Sequence, residues 1–416
     1  MENQHLVQDY LGKDIESKKI EQFIHNIKIM EHLTEENPDI NLLKSYKGFG
    51  GLKSCFSSKT LYKQLINSLG NIFVEDKYNV FNTLKNSCRS AYYTPPEIVN
   101  FIYRYLGEVC KFQGGDILEP SCGNGIFFEY MPKNIFNNSQ ITGIEMDILT
   151  SMIVKKIYPN INIINNPLQN INFDGKKYDL IIGNPPYSGE IIIDPFMKDI
   201  SNYTIHHYFT AKCIRLLNDN GILAFVLPSY FFDIPRKNTR AIIDGEAVLI
   251  DAVRLPENLF DQATVTVDVI FFRKCGNKIH NFSDTVIFEY DNKKENINEF
   301  WQKKPHRILG ELELKWVNAY KHYVPCCVTN DKNRILNYLN NCKFDNSTID
   351  DYNNICRTQE NEVVINNITN EVGESLYDNF IIVEELFMEV NYIVDKVILL
   401  NNDLIKIRNK LMSVHK

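Results

Sequence analysis

The stretch that decides the fold is Tyr178-Asp-Leu-Ile-Ile-Gly-Asn-Pro-Pro-Tyr187. Its first six residues have the length and apolar character of a buried strand that ends at Gly183. The loop that follows is stiff, because each proline fixes its own φ and lacks an N–H. It offers proline carbonyls, a side-chain amide and an aromatic face, which together fit a planar base with an exocyclic amine. We therefore predict a catalytic loop formed by Asn184, Pro185, Pro186 and Tyr187, with Tyr187 also stacking on the substrate.

Similar apolar runs alternate with helical patterns on both sides of this stretch. Further strands are predicted at 116–119, 141–145, 161–164 and 221–228, with helices between them. This alternation predicts an α/β fold with a doubly wound, mainly parallel sheet. Val267 to Phe272 is predicted as a late edge or hairpin strand. Parallel sheets bind ligands beyond the carboxyl ends of their strands, so the turns after the first, second and fourth strands are the candidate site.

The turn after the first strand has the glycines of a ligand-binding loop. Gly123 and Gly125 let the backbone pass close to a ligand. The dinucleotide fingerprint is excluded, because it requires glycine where Phe128 stands. Glu145 ends the second strand, where a carboxylate can accept hydrogen bonds from both ribose hydroxyls of a nucleoside cofactor. A simple tight turn and a solvated glutamate are the alternatives for these two features.

Length and composition set the frame for these motifs. The 416 residues are 44% hydrophobic and 23% charged, as in ordinary globular proteins, and the net charge of −7 argues against non-specific coating of nucleic acid. No stretch approaches the roughly 20 apolar residues of a membrane span. The polar start, Met1 to Tyr10, and ten cysteines without a CxxC pair predict a cytoplasmic protein with no membrane segment and no metal site.

Four regions follow from the patterns along the chain. They are a helical N-terminal region (1–88), a catalytic domain (89–275), a small mixed region with a role in target recognition (276–345) and an acidic helical tail (346–416). Within the tail, Leu376 to Leu411 carries a heptad seam. The seam is compatible with two kinds of packing. The helix could pack on its own domain, or it could contact a second copy or a specificity subunit. Its negative charge makes DNA a poor partner.

In their order along the chain, the motifs resemble those of S-adenosylmethionine-dependent amino-methyltransferases, and the tetrapeptide resembles their adenine-N6 form. Tyr93-Thr-Pro-Pro-Glu97 resembles the motif that precedes the sheet in the gamma class of DNA N6-adenine methyltransferases. Tyr46 to Leu52 and Trp301 to Glu311 are also similar to methylase domains of large phage and plasmid methylase–helicase proteins. The resemblance covers residues 45–310 and implies a Rossmann-like methyltransferase sheet.

The resemblance also implies a cofactor, a partner and their contacts. The cofactor is S-adenosylmethionine, and the partner is double-stranded DNA with the target adenine flipped out, in the setting of restriction–modification. The family places an acidic residue after the third strand, where this chain has Asn166 as the best match. The implied cofactor-binding residues are Tyr93, Thr94, Pro95, Glu119, Pro120, Ser121, Gly123, Gly125, Glu145, Asn166 and Asn184.

Two later segments are candidates for substrate contact. Arg254 to Phe260 resembles the segment that supplies a second aromatic ring against the flipped base, so Phe260 is predicted there, with a core aromatic as the alternative. Arg236, Lys237 and Arg240 follow the fifth strand and either contact phosphates or lie in a solvated loop.

Three other functions are compatible with these motifs. A protein methyltransferase could act on a glutamine side-chain amide, which presents the same NH₂ group, and an RNA adenine methyltransferase is closer still. A third alternative is an inactive methylase-fold subunit that binds DNA or a partner. Tyr93 to Pro95, and the long chain after the sheet, favour nucleic acid over protein. The target sequence cannot be read from the chain.

Overall fold

The structure is a computed structural model, and it describes residues 16–88, 93–233, 243, 245–260, 264–275, 284–317 and 321–356. Two sets of predictions lie outside the described residues. One is the heptad seam of 376–411, and the other is the basic group Arg236, Lys237 and Arg240.

The described chain begins with a helical region. Its helices are α1 (Ser17–His32), α2 (Ile40–Lys44), α3 (Lys59–Ile72) and α4 (Lys77–Ser87). Ile20, Phe23 and Ile27 recur at helical spacing in α1 and are buried. Ser58 begins α3 as its N-cap, because its hydroxyl accepts a hydrogen bond from the backbone N–H of Leu61.

The next part of the chain alternates strands and helices. The elements are α5 (Pro96–Glu108), β1 (Asp116–Glu119), α6 (Ile126–Glu129), α7 (Lys133–Asn137), β2 (Gln140–Ile144), α8 (Ile148–Ile157), β3 (Asn162–Ile164), β4 (Tyr178–Gly183), β5 (Ile191–Ile192), β6 (Tyr203–Thr204), α9 (Ile205–Leu216), β7 (Leu217–Pro228), α10 (Ser229–Asp233), β8 (Ala247–Leu255) and β9 (Val267–Lys274).

Seven of these strands form the central sheet of the described chain, in the order β3-β2-β1-β4-β7-β9-β8. The pairs β2–β3, β1–β2, β1–β4 and β4–β7 are all parallel. The predicted α/β class and mainly parallel sheet are therefore confirmed. Because the five parallel strands point the same way, the turns after β1, β2, β3 and β4 lie along one edge of the sheet.

Val267 to Phe272 was predicted as an edge or a hairpin strand; the hairpin alternative is confirmed, because β9 pairs antiparallel with the preceding strand β8, and the edge alternative is wrong. This strand, β9, is not at an edge but lies between β7 and β8, antiparallel to both. The true edge strand, β8, was not predicted. All nine of its residues are buried, so it shows no alternation, and the charged Asp251 and Arg254 interrupt its apolar run. Both charges are paired inside the protein, with Arg307 and Asp268 respectively.

Short hairpins and helices follow the sheet. They are β10 (Thr285–Tyr290), β11 (Lys293–Asn298), α11 (Glu299–Lys303), β12 (Glu311–Val317), β13 (His322–Val328) and α12 (Lys332–Asn341). A buried ion-pair cluster connects this region to the sheet. Arg254 on β8 makes two 2.8 Å hydrogen bonds to Asp268 on β9 and a 2.8 Å ion pair with Asp233 on α10. Its guanidinium lies 4.4 Å from the ring centroid of Trp301.

Two apolar cores support the edge of the sheet where the turns lie. One joins the sheet to α9, α10 and α11. The other joins the N-terminal helices to α8, whose Leu149, Ile153 and Ile157 pack against them. Within the described residues, no helix is both long and apolar enough to cross a membrane. In the same part of the chain, no group of three or more His, Cys, Asp or Glu side chains could hold a metal ion.

Candidate active site

A cavity of about 580 Å³ lies at the carboxyl edge of the parallel strands. Glu119 ends β1, and the residues just beyond β2, β3 and β4 also reach this cavity, as the predicted topology requires. Its volume is within the range of small-molecule sites. Most of the residues predicted for the cofactor, and part of the predicted catalytic loop, therefore line one cavity, with Glu145, Asn166 and Asn184 on its wall.

Glu145 is held rigidly on this wall. Its carboxylate accepts a 2.9 Å hydrogen bond from the backbone N–H of Gly123 and a 2.8 Å bond from that of Asp147. Burial raises the pKa of Glu145 to about 7, and the nearby Asp147 charge adds to the increase. The carboxylate is thus fixed in position. A buried carboxylate costs free energy unless donors surround it, so it is suited to accept hydrogen bonds from the hydroxyl groups of a ligand.

The glycine turn after β1 needs its glycine at position 123. Gly123 has φ of +50°, and a Cβ there would lie 2.7 Å from a ring carbon of Tyr93. On the other side of the same ring, a Cβ at Gly48 would lie 2.4 Å from the Tyr93 hydroxyl. The Tyr93 ring is therefore held between two backbone segments that only glycine allows to approach so closely.

Two buried polar atoms on the wall have no hydrogen-bond partner among the described residues. They are the Thr94 hydroxyl oxygen and one carboxylate oxygen of Glu119. Burial raises the pKa of Glu119 well above its usual range, and the charge of Glu145 raises it further. Buried polar groups are almost always hydrogen-bonded in folded proteins, so these atoms fit a ligand that carries several N–H or O–H donors. A nucleoside with an amino-acid moiety, such as S-adenosylmethionine, meets this requirement.

Most of the predicted cofactor-binding residues line the cavity, although their roles stay predictions. Pro95 and Gly125 do not line it; instead they are the N-cap residues of α5 and α6. The residues on the wall are Tyr93, Thr94, Glu119, Pro120, Ser121, Gly123, Glu145, Asn166 and Asn184.

The N-terminal helical region supplies wall residues that the sequence analysis missed. Phe49 and Asn86 both line the cavity. The loop around Phe49 is held by the Tyr46 hydroxyl, which lies 3.2 Å from the Thr150 hydroxyl on α8. The glycine-rich loop of Tyr46 to Leu52 was the only sequence feature that pointed to this part of the wall. Its contact with Thr150 on α8 could not be predicted from the sequence.

The predicted catalytic loop, Asn184 to Tyr187, is held by hydrogen bonds to two neighbouring segments. The Ser121 hydroxyl donates a 3.4 Å hydrogen bond to the backbone oxygen of Asn184, and the Tyr187 hydroxyl donates a 2.9 Å bond to the backbone oxygen of Val226 on β7. Asn184 and Pro186 line the cavity, whereas Pro185 and Tyr187 do not. The side-chain oxygen of Asn184 is buried, so the loop presents it in a fixed, water-poor position.

Phe260 is not open to a ligand in this structure. Its side chain is only 5% exposed, and it does not line the cavity. Its predicted stacking on a base would require the segment to rearrange. His206 and His207 pack beside Phe231, and a ring nitrogen of His207 lies 2.8 Å from the Thr204 hydroxyl.

Comparison with known sequences agrees with this geometry. The sequence pattern of the N-6 DNA methylase family matches residues 69–364, which is more than half of the chain. The chain belongs to the N-6 DNA methylase family. This match includes the entire cavity edge of the sheet and both braces of the catalytic loop.

Two methyltransferases from chlorella viruses are similar to the chain. It is 33% identical over 190 residues to the type II methyltransferase M.CvrRI of Paramecium bursaria Chlorella virus XZ-6E, covering 44% of this chain and 48% of the relative. It is 35% identical over 209 residues to the modification methylase CviBIII of Paramecium bursaria Chlorella virus NC1A, covering 48% of each. The chain therefore matches about half the length of these relatives.

A weaker likeness extends to a solved structure. The methyltransferase subunit of a type I restriction–modification system from Streptococcus thermophilus is 17% identical, with a TM-score of 0.39. The likeness covers 68% of this chain and 66% of that subunit.

Replacement of Glu145 is expected to weaken binding of S-adenosylmethionine. Loss of a charge-assisted hydrogen bond in Glu145→Ala predicts a decrease of about 1.5–3 kcal/mol, or roughly 10–150-fold in affinity. Because the pKa of Glu145 is raised to about 7, its carboxylate becomes protonated as the pH falls from 8 to 6. Affinity measured by calorimetry should therefore decrease over this range in the wild type but not in Glu145→Gln. Equal affinity in all three proteins would remove Glu145 from the site.

Proposed function

We propose that this N-6 DNA methylase family member transfers a methyl group from S-adenosylmethionine to the N6 amine of adenine in double-stranded DNA. The observation that carries the proposal is that Asn184 and Pro186 line the same cavity as Thr94 and Glu145. The catalytic loop and the nucleoside-compatible wall are thus parts of one site. Family membership and similarity to two modification methylases support the same assignment.

Several residues on the cavity wall would hold the cofactor. Glu145 would accept ribose hydroxyl groups, and the unpartnered oxygens of Thr94 and Glu119 would accept donors from the amino-acid end. Asn166 lines the wall after β3 and would accept through its amide oxygen, in place of the family's acidic residue. When bound, S-adenosylmethionine supplies an electrophilic methyl group.

The protein's part in the chemistry is to make a weak nucleophile competent. The lone pair of the adenine N6 atom is delocalised into the ring. The Asn184 side-chain oxygen and the Pro185 backbone oxygen would accept the two amine hydrogens, which favours tetrahedral geometry and localises the lone pair on nitrogen. Because β4 and the Ser121 brace fix the loop, these acceptors need little reorganisation when the amine becomes positively charged. The methylated nitrogen then loses a proton.

The amine of a paired adenine cannot reach a recessed cavity, so the base must leave the helix at a cost of a few kcal/mol. Tyr187 would offset part of this cost by stacking, which contributes about 1–3 kcal/mol per base in single-strand binders. The side chain does not line the cavity in this structure, so stacking would require the ring to move when the base enters. Its hydroxyl bond to Val226 holds the ring orientation before substrate arrives.

The proposal is tested by following the methyl label. Purified protein is incubated with labelled S-adenosylmethionine and, separately, duplex DNA, single-stranded DNA, RNA and protein, and the modified product is hydrolysed. We expect N6-methyladenine in duplex DNA. Label mainly in RNA or in glutamine would replace the substrate assignment. Binding of DNA without transfer to any acceptor would support the inactive-subunit alternative.

Assembly through 376–411 stays a prediction from the sequence. Replacing Ile393 and Leu400 with Asp would place two charges in the heptad seam, where unpaired burial is costly. If the seam joins a second copy, multi-angle light scattering should show a halved mass with cofactor affinity retained. An unchanged mass, or unfolding of the variant, would assign the seam to the protein's own core.

A further inference from the structure

The segment directly after the catalytic loop presents apolar side chains outward at the rim of the cavity. Ile192 points inward, since it is only 4% exposed and lines the cavity. Its neighbours on β5 and beyond do the opposite: Ile191, Ile193 and Phe196 are 52%, 74% and 51% exposed. We call these three outward residues the apolar rim. Ser188 and Glu190, on the same segment, also line the cavity, so the apolar rim borders its mouth.

The backbone beneath the apolar rim is fixed by one buried carboxylate. Asp194 accepts hydrogen bonds of 2.7 and 2.9 Å from the backbone N–H groups of Phe196 and Met197. It also accepts a 2.5 Å bond from the Tyr208 hydroxyl and a 2.7 Å bond from the Lys212 ammonium group. The segment therefore has exposed apolar side chains on a backbone that is unusually well anchored for a surface loop.

The same anchor connects the apolar rim to the cofactor side of the cavity. The Lys212 ammonium group donates a 3.0 Å hydrogen bond to the backbone oxygen of Leu168, which lines the cavity after β3. Both Lys212 and Asp194 are almost completely buried. Buried ion pairs contribute little net stability, because desolvation offsets their attraction. Their effect here is geometric: they fix the rim at a set position relative to the cavity.

We propose that the apolar rim is a DNA contact that inserts beside the flipped adenine and stabilises the gap in the base stack. This inference rests on the proposed function and extends it to a substrate-binding element. A base that enters the cavity passes the apolar rim. Because that base has left the DNA helix, its former neighbours in the helix are unstacked. Apolar wedges are a recurring protein device for such steps, because they cover base faces that water would otherwise contact.

The charges of the segment favour contact with bases over contact with phosphates. The exposed charged residues of this segment include Glu190 and Lys198, which have opposite charges, while Asp199 is paired with Arg215. A surface without net positive charge cannot attract phosphates, so its contribution to DNA binding should be nearly independent of salt. Apolar insertion has this property.

The test compares Ile193→Ser/Phe196→Ser with a matched control, Val74→Ser. Val74 is 75% exposed, as Ile193 is, but belongs to the N-terminal region and does not line the cavity. All substitutions are at exposed positions, so folding and cofactor affinity should be retained. Methylation is measured on the duplex sequence that the wild type modifies, and on the same sequence with an abasic site opposite the target adenine.

We expect the rim variant to methylate the matched duplex roughly tenfold more slowly than the control, with a much smaller difference on the abasic duplex, where extrusion is already easy. Equal rates for the rim and control variants, or equal losses on both duplexes, would overturn the inference while leaving the proposed function intact. If the wild type methylates no duplex DNA, so that no such test sequence exists, the proposed function is rejected and this inference with it.

Discussion

Asn184→Ala is expected to lower the rate of methyl transfer at least about 10²-fold while leaving the affinity for S-adenosylmethionine nearly unchanged. The substitution removes an acceptor for the reacting amine from a loop whose backbone is held by Ser121 and by β4. The lost interaction strengthens as charge develops on the amine, so its removal should affect the chemical step more than substrate binding.

Single-turnover rates on the modified duplex measure this effect directly, with calorimetry for cofactor affinity. Asn170→Ala is a suitable control, because Asn170 is exposed and does not line the cavity. Transfer at a substantial fraction of the wild-type rate would exclude the proposed role of Asn184. A parallel loss of cofactor affinity would indicate that Asn184 mainly shapes the pocket.

Arg254→Met should destabilise the protein by about 3–5 kcal/mol, the usual cost of removing one partner from a buried ion pair. Arg254 is completely buried and pairs with both Asp268 and Asp233. Its removal leaves two carboxylates in the interior without a cation. The free energy of unfolding can be measured by urea denaturation, with Lys294→Met as a control, because the pair of Lys294 with Glu289 is exposed.

The pH dependence of the Arg254→Met variant should reveal the cause of the loss. Burial raises the pKa of Asp268 in the folded protein, and Arg254 opposes that increase. Without Arg254 the pKa should rise further above its unfolded value, so the folded state is penalised at any pH where the unfolded carboxyl is ionised. The difference in stability from wild type should therefore shrink as the pH falls from 8 to 5. A constant difference would indicate lost packing against Trp301 instead.

The elements predicted best from the sequence are those whose pattern depends only on neighbouring residues of the chain. The bounds of β1 and β4 agree with the predicted ones, because both are short apolar runs closed by turn-forming residues. Strand β8 was missed because Arg254 and Asp251 look like surface residues until their partners are known. Such partners come from distant parts of the chain and leave no periodic signal.

In the site, too, local motifs were predictable, whereas residues brought in by long-range packing were not. Motif order identified the residues that follow β1, β2 and β4, since parallel strands bring these turns to one edge. Phe49 and Asn86 reach the cavity only because the N-terminal helices pack on α8, which no local pattern records. The motif left two positions open for Phe260, a stacking ring and a core aromatic, and its 5% exposure agrees with the second.

The position of Tyr93 between Gly48 and Gly123 has a consequence for how the protein could be divided. A fragment starting at residue 89 would keep the sheet and the catalytic loop, yet it would lose Phe49 and Asn86 from the cavity wall. The smallest competent unit therefore includes the helices before the sheet. A ligand that contacts both the N-terminal helices and the sheet would hold them together. At a concentration a hundredfold above its Kd, it would add about 2.7 kcal/mol to the free energy of unfolding. Cofactor supply would then set how long the N-terminal helices resist proteolysis.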